Sequence, residues 1–134
     1  MFLSLVVPCY NEEGNVEKFF SEVNRVFDGK DFEYEFVFVN DGSRDKTGFC
    51  LKKLYDENKN DNIQVLSFSR NFGKEAAIYA GLKEAKGDMV CLIDADLQQR
   101  PEIVLQMLDI INGNEELDCV AAYQENRLES KVMI

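Results

Sequence analysis

The residues best suited to chemistry are Asp94-Ala95-Asp96, followed by Leu97-Gln98, at the end of the apolar run Met89-Val90-Cys91-Leu92-Ile93. Two carboxylates spaced by one residue at a strand end can face a common point, and their hard oxygens suit a divalent ion such as Mg²⁺ or Mn²⁺. Such an ion would neutralise a diphosphate. The alternative is that Asp94 caps a turn and Asp96 is solvated, since Asp is frequent where strands turn.

Three further segments carry unusual residues, each after an apolar run. Pro8-Cys9-Tyr10-Asn11-Glu12-Glu13-Gly14 follows the first. There Asn11 is expected to cap the next helix, with Glu12 and Glu13 favouring its positive end. Tyr10 offers an aromatic face on which a planar base could rest. Asn40-Asp41-Gly42-Ser43-Arg44-Asp45 follows the second run. It reads either as a turn and cap, with Gly42 supplying a conformation closed to other residues, or as a site whose Asp41 carboxylate accepts a base imino proton. Ser69-Arg70-Asn71-Phe72-Gly73-Lys74-Glu75 follows the third. Arg70 suits bidentate contact with phosphate and Lys74 supplies a compact charge, unless both only pair at the surface with neighbours such as Glu75.

These segments need elements to position them, and the periodicity supplies a set. Strands are expected at Leu3–Pro8, Phe36–Val39, Ile63–Phe68, Met89–Ile93 and Leu117–Tyr123, as short runs rich in β-branched or aromatic residues. Between them, Val16, Phe19, Phe20, Val23 and Phe27 repeat at helical spacing, as do Cys50, Leu51 and Leu54, then Ala76, Ala77, Ala80 and Leu82, and the stretch from Glu102 to Ile111. Strict alternation of strand and helix implies an α/β fold, a Rossmann-like, mostly parallel sheet with helices on both faces. In such sheets ligands bind outside the carboxyl ends of the strands, which is where the four segments fall.

Composition sets outer limits. With 134 residues and 46% hydrophobic content, the chain is long enough for one core and is expected to be one compact domain over 1–134. A net charge of −10, from 25 acidic and 15 basic residues, argues against nucleic-acid binding, which needs a basic face. The cysteines, Cys9, Cys50, Cys91 and Cys119, lack the close pairs of a zinc site or disulfide framework and are expected to be reduced, buried thiols. Met1-Phe2 leads straight into a strand and no apolar stretch reaches membrane-spanning length, so the chain as given is expected to be cytoplasmic, without a membrane segment.

In order along the chain, Pro8-Cys9-Tyr10-Asn11-Glu12-Glu13, Val39-Asn40-Asp41-Gly42-Ser43, Arg70-Asn71-Phe72-Gly73-Lys74 and Asp94-Ala95-Asp96-Leu97-Gln98 closely resemble the family 2 glycosyltransferases, which have a GT-A fold. Within that family the chain is most similar to the polyprenyl-phosphate sugar transferases, the dolichyl-phosphate mannosyltransferase and bactoprenol glucosyltransferase group. The resemblance runs from Leu3 to about Arg127. It implies inverting, metal-dependent transfer of a hexose from a UDP- or GDP-sugar to a polyprenyl phosphate or a saccharide. It also implies that Pro8, Tyr10 and Glu12 line the nucleoside pocket, with Glu12 near the ribose, and that Asp41 contacts the base beside Gly42. Arg70 and Lys74 would lie near the phosphates and Asp94 near the ribose or sugar, while Asp96 and Gln98 would bind Mg²⁺ or Mn²⁺. No general base is implied for a phosphate acceptor, which is already ionised.

Where the family usually has paired prolines or Asp-Pro after the glutamine, this chain has Gln99-Arg100-Pro101-Glu102, which suits a helix start at Pro101. Family members also continue well beyond this length, so the chain is expected to be the donor-binding part, truncated at its C-terminal end, with little transfer activity of its own. Arg127 to Ile134 reads as the opening of an amphipathic helix with Leu128 and Val132 on one face, and apolar surface left there could drive a homodimer. The full-length protein is expected at the cytoplasmic face of the membrane. Three alternatives fit less well. A phosphoacceptor receiver module needs an acidic pair where Pro8-Cys9-Tyr10 stands. A dinucleotide-binding module needs a Gly-x-Gly-x-x-Gly turn after the first strand, and a sugar nucleotidyltransferase needs a basic, glycine-rich loop where Asn11-Glu12-Glu13 is acidic.

Overall fold

The computed structural model describes residues 1–59, 61–126 and 129–133, which form two compact units, Met1–Leu97 and Gln98–Ile134. In the first, strands β1 (Phe2–Cys9), β2 (Glu33–Asn40), β3 (Ile63–Ser67) and β4 (Met89–Leu92) alternate with helices α1 (Val16–Phe27), α2 (Thr47–Glu57) and α3 (Lys74–Glu84). The strands pair in parallel in the order β3-β2-β1-β4. The expected parallel α/β sheet is present.

Register and packing assign the two faces. Leu5 pairs with Phe36 and Val7 with Phe38, whereas Val6 pairs with Val37 and Pro8 with Val39; alternate residues point to opposite sides. Phe19 of α1 meets Phe36 and Phe38 edge-on at ring separations of 6.2 and 6.3 Å, so α1 lies on the first face. The expected stripe of Val16, Phe19, Phe20, Val23 and Phe27 is buried throughout.

Helix α3 lies on the other face and docks differently from the expected apolar stripe. Its buried residues are Ala77 and Gly81, while Leu82 is 45% exposed. A Cβ on Gly81 would stand 2.4 Å from Val6 Cγ1 and 3.3 Å from Val39 Cγ2. The helix approaches the sheet so closely that small residues, and not the larger apolar ones, make the contact.

The amino ends of the strands are tied by a buried acid. Glu35, 2% exposed, accepts hydrogen bonds from the Ser4 hydroxyl at 2.5 Å, the Lys86 amide at 2.7 Å and the Gln64 side chain at 2.9 Å. Ser4 Oγ in turn accepts from the Gly87 amide at 2.8 Å. A cavity of about 440 Å³, lined by Phe2, Glu35, Tyr55, Asn62, Gln64 and Lys86 among others, opens at this edge.

In the second unit, α4 (Pro101–Asn112) precedes β5 (Ala121–Asn126) and β6 (Glu129–Met133), and packs on both strands. Pro101 occupies the first turn as expected, with Arg100 extended before it. Two of the expected elements differ here. The fifth strand, placed at Leu117–Tyr123 and read as part of the parallel sheet, runs instead over Ala121–Asn126 and pairs antiparallel with β6 in a separate two-stranded sheet. The expected helix from Arg127 is replaced by β6; one i, i+4 apolar pair does not offset the cost of helix nucleation, whereas a ladder with β5 pairs the backbone directly. Arg127, Leu128 and Ile134 lie outside the described residues. Cys9 is buried and Cys50 and Cys91 are half-buried, but Cys119 is exposed, contrary to the expectation of four buried thiols. Among the described residues, no helix is long and apolar enough to cross a membrane.

Replacing Glu35 by Ala would leave three donors facing a site with no acceptor. The expected loss is about 3 kcal/mol of unfolding free energy, read from the urea midpoint. An unchanged midpoint would mean that water replaces the carboxylate.

Candidate functional site

The strand order reverses direction at β1: the chain steps outward from β1 through β2 to β3, then returns to place β4 on the other side of β1. The crevice at the carboxyl ends of β1 and β4 is therefore the topological switch point, where ligands of open α/β sheets bind. All four motif segments lie at this sheet edge. Pro8 helps to open it. The β1–β4 ladder runs only from Leu3–Met89 to Val6–Leu92, and the Val6 carbonyl accepts from the Ile93 amide at 3.1 Å. By alternation the backbone nitrogen of residue 8 points the same way, where the next rung of the ladder would fall, and a proline there has no hydrogen to give.

The first two loops are stitched together by polar side chains. Asn11 stands in the left-handed region at φ 54°; its amide donates to Ser43 Oγ at 3.0 Å, and its Oδ1 accepts from the Arg44 amide at 2.9 Å. It does not cap α1, which starts at Val16 with Asn15 before it. The Glu12 amide donates to Thr47 Oγ1 at 2.8 Å and the Glu13 amide to Asp45 Oδ2 at 3.4 Å. Glu12 Oε2 accepts from Asn15 Nδ2 at 2.7 Å. Desolvation pushes the Asp45 carboxyl up, but the hydroxyl and amide of Thr47 and the amide of Glu13 outweigh it, so Asp45 sits below the usual carboxylate range.

Asp41 joins the second loop to the third. It is 3% exposed, and its Oδ1 accepts from the Phe72 amide at 2.8 Å while Oδ2 accepts from the Gly73 amide at 3.1 Å and Asn71 Nδ2 at 3.2 Å. A carboxylate has roughly four acceptor sites, so one remains for the base contact expected of Asp41. Gly42 is required twice over: its φ is +63°, and an added Cβ would stand 2.1 Å from the Arg70 carbonyl carbon and 2.3 Å from the Asn71 nitrogen. The roles of Asn71, Ser43 and Thr47 in this stitching were not evident from sequence. Their one signal is that short polar residues crowd loops already rich in Asn, Asp and Gly.

The third loop reaches the fourth through charge. Lys74 Nζ lies 2.8 Å from Asp94 Oδ1, so Lys74 pairs across the crevice and not with the adjacent Glu75. Arg70 stacks its guanidinium 4.5 Å from the centroid of Phe72. Burial, and after it the charges of Glu12 and Asp94, push the Cys9 thiol up to about 12, which keeps that thiol protonated. Tyr10 is 43% exposed at the rim. Asp96 is half-buried, and Leu97 after it has φ 62°. Among the described residues, Asn11 and Leu97 are the non-glycine positions with positive φ, and both flank this crevice, as strained backbone at ligand sites commonly does. Gln98 is the first residue of the second unit.

The donors suit a hard divalent ion. Asp94 and Asp96 offer carboxylate oxygens, and among the described residues no three His, Cys, Asp or Glu side chains converge into a complete cage. Mg²⁺ and ions like it ordinarily take one or two carboxylates from protein and complete their shell with water and substrate phosphates.

Known proteins resemble the chain over most of its length. The profile of glycosyl transferase family 2 matches residues 4–132. The bactoprenol glucosyl transferase of Shigella phage SfV is 44% identical over 110 residues, covering 81% of this chain and 35% of the relative. Among solved structures, S. aureus TarS in complex with UDP-GlcNAc superposes with a TM-score of 0.64 at 27% identity, over 86% of this chain and 32% of that one. A mannosyltransferase from Pyrobaculum calidifontis, in complex with GDP-Man and Mn²⁺, shares the fold with a TM-score of 0.64 at 24% identity, over 70% and 27% of the two chains. The chain thus spans about a third of the length of the proteins it matches.

Gly42→Ala is expected to cost about 3 kcal/mol or more, from the left-handed backbone and the clash with Arg70, and to strip hydrogen-exchange protection from the Phe72 and Gly73 amides. Retained protection would show that the loops can separate without releasing Asp41. Asp45 contributes stability that is present above the unfolded-state value of about 3.9 and is lost as pH falls through its lower folded value. Asp45→Asn should therefore be less stable than wild type in urea at pH 7, with the gap closing below pH ~4; a gap independent of pH would remove the charge from the explanation.

Proposed function

The chain belongs to glycosyl transferase family 2, and on that premise we propose that its four loops form the donor site for a nucleoside-diphosphate hexose, carried in the longer protein to a polyprenyl phosphate. The observation that supports this most directly is the convergence of Lys74 and Asp94 at the switch point, which puts a cation and a carboxylate turn where a diphosphate and its metal would both need partners. The polyprenyl acceptor is supported by the phage bactoprenol glucosyl transferase, and a nucleotide donor by the UDP-GlcNAc and GDP-Man bound by the structural relatives.

In this reading Tyr10 offers its face to the base, Glu12 its carboxylate to the ribose hydroxyls, and the remaining acceptor site of Asp41 a base imino group. The Asp41 hydrogen bonds hold the third loop so that Arg70 and Lys74 stay within reach of the phosphates. Where the resemblance gave the metal to Asp96 and Gln98, the two carboxylates of the turn are taken here as its holders: Asp94 and Asp96 would hold the divalent ion, which when bound would supply Lewis-acid stabilisation of the departing nucleoside diphosphate. The acceptor phosphate is ionised at neutral pH and attacks the anomeric carbon from the side opposite the leaving group, so the chain needs no general base for it. The donor is read as a uridine nucleotide, following the bacterial relatives.

Calorimetric titration with UDP and with GDP, each with Mn²⁺ or with chelator, tests the reading. Metal-dependent binding of UDP, lost in Asp96→Ala, is the expected result. Equal binding with chelator, or undiminished binding by the variant, would remove the carboxylate turn from the donor site.

A further inference from the structure

We propose that Lys74 is an exchangeable counter-ion: it neutralises Asp94 while no ligand is bound, and hands that role to the divalent ion when its own charge moves to the diphosphate. This rests on the donor-site reading above and adds to it a physical origin for coupled binding of metal and nucleotide.

The two ends of Lys74 are held very differently. Its backbone follows Phe72 and Gly73, whose amides are bound by the buried Asp41, and it opens α3. The side chains of Lys74 and Asp94 are 60% and 43% exposed. The ammonium therefore sits on a flexible four-carbon stem with a fixed pivot. The helix does not call for it, because a cation in the first turn opposes the helix dipole. Its electrostatic partner comes from the far side of the crevice, twenty residues on in sequence at 2.8 Å. An exposed pair of this kind is weak and is readily exchanged for a stronger one.

Competition follows from Coulomb repulsion. A divalent ion at Asp94-Ala95-Asp96 and an ammonium on Asp94 are like charges seeking the same oxygens, so metal alone must displace Lys74 with nothing else for the lysine to neutralise. A nucleoside diphosphate changes this, since it offers Lys74 an anion and offers the metal further oxygens. Each ligand then improves the affinity for the other by the same factor, as linkage requires. A static clamp, with Lys74 remaining on Asp94 throughout, would repel the metal equally with and without nucleotide and would leave the coupling factor independent of residue 74.

The test measures Mn²⁺ binding by the loss of the free-ion electron paramagnetic resonance signal, without nucleotide and with UDP or GDP, in wild type, Lys74→Gln and Lys53→Gln. Lys53 pairs with Glu17 at 3.6 Å on α1, so its variant lowers the net charge equally at a position outside the four loops. Lys74→Gln is expected to bind Mn²⁺ alone about three- to tenfold more tightly than wild type, while Lys53→Gln stays within about twofold. The factor by which nucleotide tightens Mn²⁺ should fall in Lys74→Gln by a similar amount. If wild type binds Mn²⁺ and nucleotide together but Lys74→Gln matches it in both respects, or binds Mn²⁺ alone more weakly, the counter-ion proposal is overturned and the donor site stands. If wild type binds neither nucleotide under any metal condition, the donor-site reading fails and the proposed coupling fails with it.

Discussion

Asp41 follows the run of buried residues along β2 and is itself 3% exposed, and the geometry of the carboxyl edge depends on how its charge is satisfied. A buried carboxylate without donors would be too costly to keep. Its donors are the amides of Phe72 and Gly73 and the amide side chain of Asn71, in the segment that leads into α3. The acid requires donors, and the irregular loop supplies them. Gly42 allows the two segments to approach within bonding range. Arg70 and Lys74 thereby take their positions from a residue that is not basic and makes no direct contact with either charge in this network.

The same strand carries a second buried acid at its other end. Glu35 collects donors from Ser4, Gln64 and the Lys86 amide, and so ties β1, β3 and the turn after α3 to β2 at the amino edge. Both acids act as staples between chain segments remote in sequence. They differ in what they hold. Glu35 fixes the entry to strands, whereas Asp41 fixes a loop whose side chains project toward the crevice, so a defect at one would be felt mainly as stability and at the other as geometry of the site.

Much of the sheet and the first helix was legible because packing imposes a period on apolar residues, and Val16, Phe19, Phe20, Val23 and Phe27 obey it without exception. The period failed on α3, where closeness to the sheet selects small residues and leaves Leu82 at the surface. It failed again after Gly113, since the β5–β6 ladder arises from pairing between segments and not from a pattern within either. In the site, the four loops could be located because strand ends follow from the same apolar runs. Their internal connections could not. Asn11 looks like a cap from its neighbours in sequence but bonds to Ser43 and Arg44, and Lys74 has a carboxylate next to it yet pairs with Asp94. Local statistics describe what a side chain can do, and the fold decides which partner is within reach.

The proline in β1 bears on affinity through water. A strand edge that outlasts its neighbour usually presents alternate amide hydrogens to solvent, and any molecule settling against it must either replace those hydrogen bonds or lose them. Beyond the Val6–Leu92 pair, the position that would present such a hydrogen toward β4 is Pro8, which has none. The crevice wall there can be dehydrated by an incoming group without orphaning a backbone donor, so an apolar or aromatic surface can rest on it at little desolvation cost. An ordinary residue at position 8 would carry a backbone N–H there, which the strand or an incoming group would have to satisfy.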